Sequence, residues 1–216
     1  MADVKAFDPY EYVGVIAPGA IVVAALLVEW PQAQSALGIK EFSLGDLGIF
    51  VIFAFALGHI VQALGNAIEW ALYFPFGGKP TDWVKKPGQK LIAPQQRARL
   101  IEAVARDQGI DIPLDTIDGS AWYSMVREIF AKVSAEGRNG RIDAFNRNYG
   151  LLRGIAAALL VTLVWFLATR GIELRWTLMT FALLVLALYR MYHFGVLYAR
   201  EVFVQYLTIP PKKDSV

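Results

Sequence analysis

The stretch Leu57–Trp70, LGHIVQALGNAIEW, decides how this chain is read. It lies within a predominantly apolar run from Leu44 to about Phe74, longer than the roughly 20 residues a helix needs to cross a bilayer. His59, Gln62, Asn66 and Glu69 follow one another at spacings of three, four and three, so a helix gathers them on one face. Gly58 and Gly65 stand beside that stripe, one heptad apart, and leave room for another backbone to approach. Polar groups at membrane depth turn toward protein or water rather than lipid. The stripe therefore has three readings: a seam that glues helices together, the lining or gate of a conducting path, or a catalytic site.

Composition supports the membrane reading. The 216 residues are 56% hydrophobic and only 19% charged, and the mean hydropathy is +0.42. Soluble domains carry about 25% charged residues and about 45–50% apolar ones. The chain has no cysteine, which excludes a disulfide framework, thiolate-bound zinc and a thiol nucleophile.

Outward from the organising stretch, three further spans are expected. Tyr12 to Trp30 is the first, interrupted by Pro18-Gly19. A proline inside a helix frees the carbonyl four residues earlier and kinks the helix unless a neighbour compensates. Leu151 to Thr169 is the third span, and Trp176 to about Val196 the fourth, with no stop signal before Pro210. Its continuation is expected to leave the membrane as an amphipathic extension. Ser43, with Asp46 three residues on, is expected to cap the second span.

Between spans two and three lies the one long polar segment, residues 77–149. Helices are expected from Pro94 to Gln108, stopped by Gly109, and from a Ser120 cap through Glu136, stopped by Gly137. From Ile142 the apolar spacing suggests a cytosolic helix that runs without a break into the third span. The expected fold is an all-α membrane protein with four transmembrane helices and a small helical cytoplasmic insertion. Its parts are 1–76 (helices one and two), 77–149 (the insertion) and 150–216 (helices three and four with extension and tail).

Basic residues orient the chain. Lys5, twelve Lys and Arg of the 77–149 segment, Arg153, Arg200, Lys212 and Lys213 fall on one side, against Lys40, Arg170 and Arg175 on the other. The insertion and both termini are therefore expected in the cytoplasm.

Several motifs fail on inspection. Gly77-Gly78-Lys79-Pro80-Thr81 lacks the first glycine and the hydroxyl residue after lysine that a phosphate loop needs. Asp111, Asp115 and Asp118 lack the spacing and the bidentate glutamate of a calcium loop. His59 and His193 fit no zinc-protease pattern, and no serine sits in a nucleophile elbow, so neither a metal nor another cofactor is expected. Lys79, Lys85, Lys86 and Lys90, with Trp83 among them, read as a juxtamembrane stretch facing anionic lipid rather than nucleic acid.

The fourth span brings two more polar groups to membrane depth, Arg190 and His193. Spans two and four run in the same direction, so depths compare at 1.5 Å per residue. Glu69 lies about 33 Å from Leu47, and Arg190 and His193 about 21 and 26 Å from Trp176. Glu69 is expected to pair with Arg190 or His193, because a lone charge there would cost about 2.5–3.5 kcal/mol.

Three stretches, YVGVIAPGAIVVAALL, LGHIVQALGNAIE and RIDAFNRNYGLLRGIAAALL, together resemble small four-span bacterial membrane proteins of phage-defence and CRISPR-associated operons. The resemblance covers about a third of the chain. It implies the bacterial inner membrane and an antiviral effector that forms a membrane pore, or a membrane-bound sensor for a cytosolic partner. An RNase motif is not implied, because Arg190 and His193 stand too close together and lie in the membrane. The leading expectation is a homo-oligomeric channel in the lipid bilayer, lined by His59, Gln62 and Asn66. The alternatives are a non-conducting scaffold that recruits a soluble protein, and an intramembrane enzyme. The last is disfavoured because no nucleophile and base are recognisably placed.

Overall fold

A computed structural model describes residues 9–30, 32, 44–109, 113–169 and 174–210. The expected Ser43 cap, Asp111, Lys5, Lys40, Arg170, Lys212 and Lys213 lie outside these residues. All regular structure among the described residues is helical: α1 (Pro9–Glu29), α2 (Leu44–Tyr73), α3 (Pro80–Trp83), α4 (Pro94–Gln108), α5 (Gly119–Ala135), α6 (Gly140–Thr169) and α7 (Leu174–Leu207). Short 3-10 turns occupy Phe74–Phe76 and Leu114–Thr116. Four helices, α1, α2, α6 and α7, are long and apolar enough to cross a membrane. The protein is thus an all-α membrane protein. As the spacing from Ile142 suggests, α6 is continuous from the polar segment into its span, and α7 runs on beyond its own.

The chain divides into two compact units, residues 1–72 with 147–192, and residues 73–146 with 193–216. In the first unit, α6 is the helix on which the others pack. Its Ala156, Ala157 and Ala158 are fully buried. Val61 of α2 meets Ala157 and Ala158, and Leu184 and Ala187 of α7 meet Ala156, Leu159 and Leu163. Small residues do this work because lipid tails are as apolar as leucine, so association inside a membrane rests on close packing.

The tightest approach joins α1 to α2. A Cβ added at Gly19 would fall on the Ala54 carbonyl oxygen, and one at Gly58 on the Val15 carbonyl oxygen. Gly58 thus does what its place beside the stripe suggests. Gly65 does something else: the nearest atom to its absent Cβ is Cγ of Arg153, at 3.1 Å. It makes way for a side chain rather than for a backbone.

The second unit has its own core. Leu100 and Val104 of α4, Trp122, Ile129 and Val133 of α5, and Val202 and Phe203 of the α7 extension are buried together. Trp122 stacks on Phe203 with ring centroids 6.1 Å apart, and its Nε1 donates to the Thr81 carbonyl at 3.1 Å. The two helices of the 77–149 segment are too few to close a core alone, and the far end of the fourth span completes it. Helix α4 has the expected bounds, with Gly109 in the left-handed region at φ +65°. The start of α5 differs from expectation. Asp118, not Ser120, is the cap; its carboxylate accepts from the backbone of Ser120 and Ala121 and from the Ser120 hydroxyl. Carboxylates outrank hydroxyls when both can reach, because ionic acceptors make the stronger bonds. The Ser120 hydroxyl and these backbone amides hold the Asp118 carboxyl at about 2.

Asp107, near the end of α4, ties three helices together. Lys132 of α5 donates to it at 2.6 Å and the Tyr206 hydroxyl of α7 at 2.7 Å, while Arg106 adds a bond at 3.1 Å. Burial alone would raise its pKa, but the bonds from Lys132, Tyr206 and Arg106 outweigh it and hold the carboxyl below 3.8. A carboxylate lowered on folding contributes stability that is complete above its unfolded pKa and lost as pH falls through the folded one. Asp107→Asn should therefore speed amide exchange across residues 94–135 at pH 7, by a destabilisation of about 1.5 kcal/mol. The difference from the wild type should shrink as the pH is lowered from 5 to 3. Equal exchange at pH 7 would mean that the three bonds stabilise nothing.

Candidate functional site

The polar stripe of α2 does not have a single environment. At 100° per residue, His59, Gln62, Asn66 and Glu69 spread over an arc of about 80°. One flank of that arc is packed and the other is open. Gln62 is half-buried and Glu69 is buried, whereas His59 and Asn66 are exposed.

Gln62 answers the problem set by Pro18. Residue 18 has no N–H to give to the carbonyl of Gly14, four residues back. Gln62 Nε2 donates to that carbonyl at 2.7 Å. The proline ring itself packs where Gly154 of α6 has no side chain, with Cγ 2.7 Å from the position a Cβ would take. α1 therefore continues as a helix through its proline. The expectation put Gln62 on the conducting path with His59 and Asn66; its amide is instead spent on the contact between α1 and α2.

Glu69 is only 6% exposed. Its Oε2 accepts from Arg153 Nη1 of α6 at 2.8 Å, and the stem of that arginine passes over Gly65. Arg153 is a partner that the expectation of Arg190 or His193 did not include, because depth compares directly only between the two helices that run the same way. Arg153 entered the sequence reading only as one more cytoplasmic-side charge. The available signal was its place one residue before Gly154, in the first turn of the apolar run that begins at Leu151. Arg190 lines a groove of the first unit, and His193, in the second, lies edge-on to Phe194 at 6.1 Å.

On the open flank, His59 makes an edge contact with Phe55, with centroids 4.7 Å apart. One helical stripe carries Ile52, Phe55, His59, Asn66 and Trp70, all exposed. Counted from Leu44, His59 lies about 22 Å along the helix and Asn66 about 33 Å, placing the histidine near the middle of α2 and the amide nearer its C-terminal end.

Of the basic residues after α2, Lys85 donates to the Ile117 carbonyl at 2.8 Å, a structural use inside its own unit. Lys79, Lys86 and Lys90 are exposed. Among the described residues no three His, Cys, Asp or Glu side chains converge as a metal would require.

Two double-mutant cycles test this arrangement. Gln62→Leu should lower the thermal stability of the detergent-solubilised protein by about 1 kcal/mol, since it orphans a part-buried carbonyl. In a Pro18→Ala background the restored N–H can satisfy Gly14, so the same change should cost little. Additive effects would show that the amide bond does not compensate the proline. Glu69→Ala should cost about 3 kcal/mol by stranding Arg153, and adding Arg153→Ala should recover part of that loss. An unrelieved loss in the double variant would count against the pair.

No protein-family model, no curated protein and no solved structure matches this chain; function must be argued from its own side chains.

Proposed function

We propose that the chain assembles in the membrane as a homo-oligomer and that the assembly is a channel, with ions passing between subunits along the outer face of α2. One observation carries this reading: His59, well inside the span, is exposed on a single subunit, with Asn66 one heptad further on the same stripe. A polar group left against lipid without a partner costs roughly 2–7 kcal/mol. That face therefore belongs against another copy, against water, or against both. The open stripe supplies an imidazole and an amide, the kind of side chains that line polar pores. Four spans are too few to enclose a path, so the path lies where subunits meet.

On this proposal both termini and the 77–149 segment are cytoplasmic, on the strength of the basic asymmetry. The bacterial inner membrane and a role in antiviral defence follow from the resemblance of the three quoted stretches. The second unit would then be the part that a cytosolic signal engages. One feature favours the scaffold alternative: the second unit has a core of its own and could dock a soluble partner without any conduction.

Single cysteines can be placed at will in a chain that has none. In liposomes, cysteine at 59 or 66 should react with a small charged thiol reagent, while cysteine at 62, 60 or 64 should not. Tracer efflux should fall at least about tenfold in His59→Leu if the imidazole lines the path. Protection at both 59 and 66, together with liposomes that release no tracer, would leave the scaffold as the better reading.

A further inference from the structure

The first unit contains a groove of about 890 Å³ between α1, α6 and α7. Its size falls within the range of built ligand sites, roughly 300–1,000 Å³. The walls are aliphatic and aromatic, with Ala25, Leu159, Phe166 and Leu183 among them. The polar exceptions are not scattered. Glu29, Thr162, Trp176 and Thr180 lie within about three turns of one end of their helices, and Arg190 lies some 15 Å further along α7 than Thr180.

Among the described residues, two polar atoms at that end lack partners. The Thr162 hydroxyl belongs to a residue only 5% exposed and bonds to no group among the described residues, not even a carbonyl of its own helix. Oε2 of Glu29 is buried and likewise unsatisfied. A buried polar group in this state is destabilising, a penalty that a ligand would relieve. A carboxylate oxygen accepts and a hydroxyl can accept, so the ligand must bring donors. Arg175, next in sequence to the lining residue Trp176, places its guanidinium over the Trp176 ring at 5.3 Å, which brings a cation to the same end of α7.

We infer that this groove binds one phospholipid with a primary-ammonium headgroup: the N–H groups meet Glu29 and Thr162, the phosphate lies toward Arg175, and an acyl chain fills the apolar length. A lipid chain is the occupant because the walls are apolar, the groove is long and the medium around these helices is lipid. The ammonium is specified by the two acceptors. Glycerol headgroups bring no positive charge to the carboxylate, and choline headgroups carry the charge without a single N–H. This inference is independent of whether the oligomer conducts.

Native mass spectrometry of the full chain decides it, using phosphatidylethanolamine, phosphatidylcholine and phosphatidylglycerol with identical acyl chains. The wild type should retain phosphatidylethanolamine about tenfold better than phosphatidylcholine, the effect of one charge-assisted bond. Thr162→Val, nearly the same shape, and Glu29→Leu should each erase that preference. Ala25→Trp, which fills the groove, should lower retention of all three lipids. Thr162→Val alone suffices if the glutamate variant does not fold. Equal retention of the three lipids by the wild type would overturn the inference, as would a preference for phosphatidylglycerol. A change in subunit number with lipid retention unaltered would also overturn it, by assigning the groove to a helix of a second copy.

Discussion

Much of the first unit depends on one missing donor. Pro18 leaves the half-buried Gly14 carbonyl without its helical partner, and a bare backbone group is costly in a helix that spans a membrane. Gln62 supplies the bond from the next helix, at 2.7 Å. To deliver so short a side chain the two helices must nearly touch, which explains the glycines: Gly19 and Gly58 sit where any Cβ would strike the facing backbone. The proline ring, pushed to the other side, finds its space at Gly154. A helix-breaking residue thus fixes the register of α1 against both α2 and α6.

The same economy governs the charges. Glu69 is almost fully buried, and its bond to Arg153 links the end of α2 to the middle of α6. Gly65 is part of that link, because the arginine stem runs through the space its missing side chain leaves. Gln62 and Glu69 are spent on holding the bundle together. His59 and Asn66, on the other flank of the same arc, are not, and this division gives the open face of α2 its functional interest.

The second unit shows how a segment too small to fold alone acquires a core. Its helices α4 and α5 close on the last turns of α7, where Val202, Phe203 and Tyr206 are buried. Asp107 joins all three through Lys132 and Tyr206. Arg200 adds a bond to the Leu91 carbonyl at 2.8 Å, which ties the loop before α4 to the same extension.

The sequence by itself determined the class, the four spans, the bounds of α4 and the continuity of α6, because these follow from run length, hydropathy and the punctuation of proline and glycine along the chain. It also marked Pro18 as a place where a neighbour must help. It could not say that the helper is Gln62, that Arg153 meets Glu69, or that Asp118 rather than Ser120 caps α5. Each of those depends on which side chain arrives first at a shared point in space, and spacing along one helix is silent about that. The stripe of α2 makes the distinction plain. Its four polar residues share an arc of about 80°, and a period of 3.6 puts them there. Whether a given side of the arc meets protein or lies open is fixed by where α1 and α6 stand, and only the packed bundle decides it.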